Sequence, residues 1–269
     1  MYRSQKLALR YFAAAITLFG VMTAAGLLSA FYYIDPSLFY NVFDFQMAKI
    51  LHIDTLVIWL LMGFIGAVYW FLPKELGREV VGIWLAELLF YVFCAAVVVV
   101  AVVFILVQYG GSDQFSMWFI NQGRKYVEAP RWAAVGIVVV VLTFMFNVTA
   151  TAWRARKVTG ILGVLIVDLI PLSVLYLDAF PQLTNMSHDL YWWWWLVHMW
   201  VEATWEVLIG CLMAWSLMEL MGTSRRIVET WLYIEVMLVL GITLTQLEAG
   251  KHLEGPHVSG DRIDRRPIK

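Results

Sequence analysis

The chain has 269 residues, of which 62% are hydrophobic and only 14% charged, and its mean hydropathy is +0.75. A single water-filled surface and one core cannot accommodate so apolar a composition, which excludes an ordinary soluble domain. With 19 basic against 20 acidic residues the formal net charge is −1, so there is no basic footprint for nucleic acid and no soluble polyanion partner is implied.

The apolar residues come in long blocks, and about 20 helical residues cross roughly 30 Å of hydrocarbon. Seven such blocks are predicted, at 11–34, 50–72, 82–108, 133–153, 159–177, 191–221 and 228–245. Stretches such as 97–103 do not alternate, against the pattern of a strand barrel. Helices satisfy their own backbone in lipid. The expected fold class is therefore all-α, a polytopic transmembrane helix bundle of about seven spans over 1–245. A polar tail, 246–269, follows and is expected to be disordered or aberrant; no internal repeat or separate domain is visible.

The first block follows Arg3, Lys6 and Arg10 without a small-residue cleavage site, so it reads as a retained span rather than a signal peptide. The second opens with Lys49-Ile-Leu-His52-Ile-Asp54. A neutral imidazole there can be an axial haem ligand, or it can snorkel to the interface or pair with Asp54. Glu87, Asp168 and Glu235 fall inside the third, fifth and seventh blocks, as proton-path stations or as interhelical hydrogen-bonding groups, and spacing leaves both open. Cys94 and Cys211 sit in apolar surroundings without haem-attachment or metal-finger spacing and read as packing residues. Residues 109–132 form a polar, glycine-bearing loop, and the run Trp192 to Trp195 marks an interfacial aromatic belt.

The sixth block carries the sharpest signal. In Leu196-Val-His-Met-Trp-Val-Glu-Ala-Thr-Trp-Glu, His198, Glu202 and Glu206 recur every four residues and share one stripe of a helix. Imidazole and carboxylate one turn apart can hold a divalent metal, a mixed set that suits iron. The alternative is a polar zipper between packed helices with neutral carboxyls.

Arg3, Lys6, Arg10, Lys74, Arg78, Arg154, Arg156, Lys157, Arg225 and Arg226 fall on one side of a seven-crossing path, whereas Lys49, Arg124, Lys125 and Arg131 fall on the other. The positive-inside rule then places the N-terminus in the cytoplasm. The tail, with Lys251, Arg262, Arg265, Arg266 and Lys269, lies on the opposite face against that rule.

Lys49 to Glu75 with His52 and Trp59-Leu-Leu-Met-Gly-Phe-Ile-Gly-Ala, Tyr126-Val-Glu-Ala-Pro-Arg131, and His198 to Glu206 together resemble the large, cytochrome b-type subunit of nitric oxide reductase in the haem-copper oxidase superfamily, over about Tyr2 to Gly241. The resemblance implies part of a twelve-helix fold in a bacterial cytoplasmic (inner) membrane. It implies that His52 is an axial ligand of a low-spin haem b, and that His198 and Glu202 are ligands of a non-haem iron facing a high-spin haem. Glu206 becomes the second carboxylate, tuning the iron or passing protons; Glu128 becomes a calcium ligand; Lys49 and Arg131 neutralise haem propionates. The implied reaction joins two NO with two electrons and two protons to give N2O and water. The short stretch before the first span points to the form that works with a membrane-anchored cytochrome c subunit.

The sequence departs from that family where the seventh span ends. A His-His pair that would complete the iron site is replaced by Gln246-Leu-Glu-Ala-Gly-Lys-His252, and His252 and His257 sit in a polar tail that cannot orient a ligand. The expectation is a truncated subunit, inactive alone, or a split enzyme whose missing C-terminal half comes from another chain. An oxygen-reducing haem-copper oxidase fragment is the nearest alternative, although a tyrosine would then stand where Glu202 stands. A non-catalytic proton or ion passage protein is the third.

Overall fold

The computed structural model describes residues 1–37, 39, 43–110, 130–179, 181 and 183–253, and the side chains of 108, 131 and 246–253 are not among those described. Among the described residues the regular secondary structure is all helical and contains no strand. The helices are α1 (Arg3–Ile34), α2 (Phe45–Leu76), α3 (Ile83–Gly110), α4 (Arg131–Ala155), α5 (Gly160–Leu177), α6 (Met186–His198), α7 (Glu206–Met221) and α8 (Arg225–Leu253). A π-helical segment, Met199–Trp205, joins α6 to α7 without a break. Seven spans long and apolar enough to cross a membrane result, the sixth running Met186–Met221.

Helix ends lie where the chain chemistry puts them. Gly77 and Gly222 close α2 and α7 in the left-handed conformation, at φ 68° and 64°, which glycine adopts without a Cβ penalty. Asn185 caps α6, its side chain accepting from Ser187 N at 3.0 Å and His188 N at 3.2 Å. The apolar block ends at Thr245, but α8 continues to Leu253, because Gln246, Leu247, Glu248 and Ala249 are good helix formers whatever their polarity. Residues 254–269, including His257, lie outside the described residues.

One continuous core runs through the bundle, with Leu7, Tyr11, Ile65, Tyr69, Leu72, Leu165 and Leu208 among its buried members. α1 lies along α2, and Tyr11 meets Tyr69 and Phe90 edge-on at 5.8 and 4.8 Å between ring centroids. The α2–α3 turn is fastened by a buried polar knot. Tyr69 donates to Asn147 Oδ1 at 2.8 Å, Asn147 donates to Val81 O at 2.7 Å, and Val81 N donates to Thr151 Oγ1 at 2.9 Å. Each buried polar group in the knot has a partner, as a site out of reach of water requires.

The charges gather at one end of the bundle, where α1, α3, α5 and α8 begin and α2, α4 and α7 finish. Glu79 receives Arg3 N at 2.5 Å, Arg3 pairs with Glu87, and Lys74 pairs with Glu219. Arg225 reaches Glu75 at 2.8 Å and Glu229 at 3.3 Å, Glu229 accepts from Gly160 N at 3.1 Å, and Lys157 donates to Glu75 O at 2.7 Å. Glu87 is thus an interhelical tie of this charged end, one of the two readings its sequence position left open.

Candidate functional site

His52 lies on the second turn of α2 and is half-buried against α1. Its Nδ1 is 2.9 Å from the carbonyl oxygen of Met22. A carbonyl only accepts, so Nδ1 carries the proton and Nε2 keeps its lone pair, the tautomer that ligates a metal through Nε2. The ring rests on Gly26, where a Cβ would come within 2.8 Å of Nδ1 and 2.9 Å of Cε1. Met22 and Gly26 were not singled out from the sequence; the one available hint was a glycine within a long apolar helix. Lys49 is half-buried one turn before His52 on the same face.

The stripe His198, Glu202, Glu206 crosses the junction of α6, the π segment and α7. His198 Nδ1 is 2.7 Å from Trp194 O, which again leaves Nε2 free, and the imidazole lies over the Trp194 ring with centroids 4.2 Å apart. The segment is held on both sides. Trp200 donates to Leu172 O of α5 at 3.0 Å, and Trp205 meets Phe64 of α2 edge-on at 5.4 Å. In an α-helix a four-residue step overshoots one turn by about 40°. The wider π turn changes that facing, and Glu202 and Glu206 line a single cleft of about 200 Å³ with Val239, Ile242 and Thr243 of α8. π-helical turns recur at functional sites. Glu202 is half-buried and Glu206 exposed within the described residues.

The donor set is partial. Among the described residues no three His, Cys, Asp or Glu side chains come together to hold a metal. His198 and Glu202 offer one nitrogen and one carboxylate, chemistry that fits iron, and any further ligand would come from outside the described residues. Glu128 and the side chain of Arg131 lie outside the described residues, so the calcium and propionate expectations have no geometry here. Of the Trp192 to Trp195 run, Trp194 faces outward, while Trp192, Trp193 and Trp195 pack on the core. Cys211 is fully buried with its thiol 3.7 Å from Ile161 O, and Cys94 is half-buried.

Two further acids belong to this region. Asp168 of α5 is buried, and among the described residues its Oδ2 has no hydrogen-bond partner. Glu235 of α8 lies against the backbone of Gly210, where a Cβ would be 2.8 Å from its carboxyl carbon.

Residues 6–246 match the family model described as cytochrome c and quinol oxidase polypeptide I. The chain is also 34% identical over 241 residues to the B subunit of nitric oxide reductase from Stutzerimonas stutzeri, a match covering 89% of this chain and 51% of that protein. The chain thus spans about half the length of that curated relative. With its seven membrane-spanning helices, this integral membrane protein belongs to the cytochrome c and quinol oxidase polypeptide I family, the haem-copper oxidases.

Proposed function

We propose that this chain forms part of the catalytic subunit of a nitric oxide reductase, in which 2 NO, two electrons and two protons give N2O and water. The observation that carries the proposal is the cleft of the sixth span, where Glu202 follows His198 by four residues and shares its lining with Glu206. A carboxylate at that place favours iron over copper, and so NO over oxygen as substrate. His52, with Nδ1 committed to Met22 O and Nε2 left with its lone pair, would hold the haem b iron. His198 and Glu202 would hold the non-haem iron. When bound, the haem and iron supply the redox chemistry.

The chain's own residues do the rest. Trp194 O fixes the His198 ring, Met22 O fixes the His52 ring, and Glu206 at the exposed side of the cleft takes and delivers protons. Lys49 and Arg131 would neutralise haem propionates, and Glu128 would hold calcium. Electrons arrive from a membrane-anchored cytochrome c subunit. The membrane is a bacterial inner membrane, with the charged end of the bundle in the cytoplasm.

The test is spectroscopic and analytical. Purified with its natural partners, the protein is expected to show haem b absorption, bound non-haem iron and NO consumption exceeding oxygen consumption. Glu202→Ala is expected to lower iron content to background while haem b at His52 persists. Unchanged iron in that variant removes Glu202 from the metal site, and a colourless, iron-free wild-type complex ends the whole reading.

A further inference from the structure

The sequence motif that opens at Trp59 has no part in the function proposed above. Trp59 follows His52 by seven residues, two turns along α2, so the two side chains share one face of that helix. Both reach the same residue of α1. His52 Nδ1 donates to the Met22 carbonyl at 2.9 Å, and the Trp59 indole N–H donates to the Met22 thioether sulfur at 3.1 Å. Phe19, almost one turn before Met22, lies edge-on to the Trp59 ring with centroids 5.1 Å apart. A thioether is a weak acceptor, but an indole N–H within a span has no water to turn to, so a partner inside the protein is favoured. Towards the charged end, the next polar tie between α1 and α2 among the described residues is Gln5 Nε2 to Trp70 O at 3.2 Å, about 25 Å along α1.

We propose that Trp59 is a positioning residue for the His52 imidazole and acts on it through Met22. A carbonyl in a helix moves only with its helix, so the bond from His52 lasts only while α1 and α2 keep their register at this level. The indole holds that register by gripping the side chain of the very residue whose carbonyl sets the tautomer. With both contacts made, the imidazole presents a bare Nε2 in a fixed direction, as a metal ligand requires. The consequence for haem rests on the reading of His52 as its ligand.

The test uses nitrogen NMR spectra of the full chain in membranes, isotope-labelled at histidine and prepared without haem, with His52→Gln identifying the His52 signals. The native chain is expected to show one tautomer, protonated at Nδ1. Trp59→Phe, which removes the N–H, and Met22→Leu, which removes the sulfur but retains the volume, are each expected to give a mixture of both tautomers. Met22→Gln returns an acceptor on a side chain of similar length and is expected to restore the single tautomer. Packing alone predicts the opposite order, because Leu suits an apolar contact better than Gln. In the complex purified with its natural partners, Trp59→Phe and Met22→Leu are each expected to release haem b to a haem-accepting globin roughly tenfold faster, the lower end of the range for groups that orient a ligand. Combining the two is expected to add little, since they remove one contact. The proposal is overturned if the native chain shows both tautomers, if Trp59→Phe and Met22→Leu leave the single tautomer or the haem release unaltered, or if Met22→Gln behaves like Met22→Leu. The NMR spectra are read without haem, so a native complex lacking haem b strikes the nitric oxide reductase reading and leaves the positioning of His52 to be decided by the tautomers.

Discussion

The imidazole of His52 is oriented by two groups of α1, the carbonyl of Met22 and the bare backbone of Gly26. Fixing a ligand's second nitrogen typically governs metal affinity by one to two orders of magnitude. Gly26→Ala places a methyl inside contact distance of the ring and must push it off the carbonyl. The expected outcome is a loss of most haem b absorption from the purified complex. Gly20→Ala supplies the control on the same helix, since nothing lies within 4 Å of its new Cβ. It is expected to retain haem b and to gain up to about 1 kcal/mol from helix propensity. Equal haem content in the two variants would detach His52 from haem ligation.

Among the elements, the α2–α3 turn and the π segment show how polar side chains fix geometry in an apolar bundle. Asn147 is fully buried and serves both Tyr69 and Val81. Asn147→Leu retains the volume but strands a hydroxyl and a carbonyl, and it is expected to cost about 2 kcal/mol in a denaturation titration of the micelle-embedded chain. Tyr69→Phe removes a single hydroxyl and is expected to cost less, about 1 kcal/mol. The π segment holds its place through contacts to two different helices, Trp200 on α5 and Trp205 on α2. The four-residue spacing of His198, Glu202 and Glu206 is plain in the sequence, yet a shared stripe does not reveal a widened turn. The packing of both tryptophans helps to hold that turn in place.

For the whole molecule, the basic loops converge on one end with their carboxylate partners, and the positive-inside rule puts that end in the cytoplasm. Arg154 is exposed there and Thr184 is exposed at the other end, while Cys94 and Cys211 are shielded within spans. A membrane-impermeant thiol reagent applied to right-side-out vesicles is expected to label Thr184→Cys and leave Arg154→Cys untouched; the reverse pattern inverts the orientation. The same antiparallel arrangement explains why α8 can dock through two glycines. Tyr233 and Glu229 press on Gly160 of α5, and Glu235 presses on Gly210 of α7.

Hydropathy and local spacing are properties of consecutive residues, so the number of spans, the collection of basic loops on one side and the His198 stripe follow from the sequence by itself. The family likeness follows in the same way, because motifs of different kind occur in one order along the chain. What faces what does not follow. Helices that are apolar all round carry little record of which side meets which neighbour. Hence the pairing of His52 with Met22 and Gly26, the cleft that Glu202 and Glu206 share at the π turn, and the seating of Glu235 on Gly210 were decided only when the helices packed.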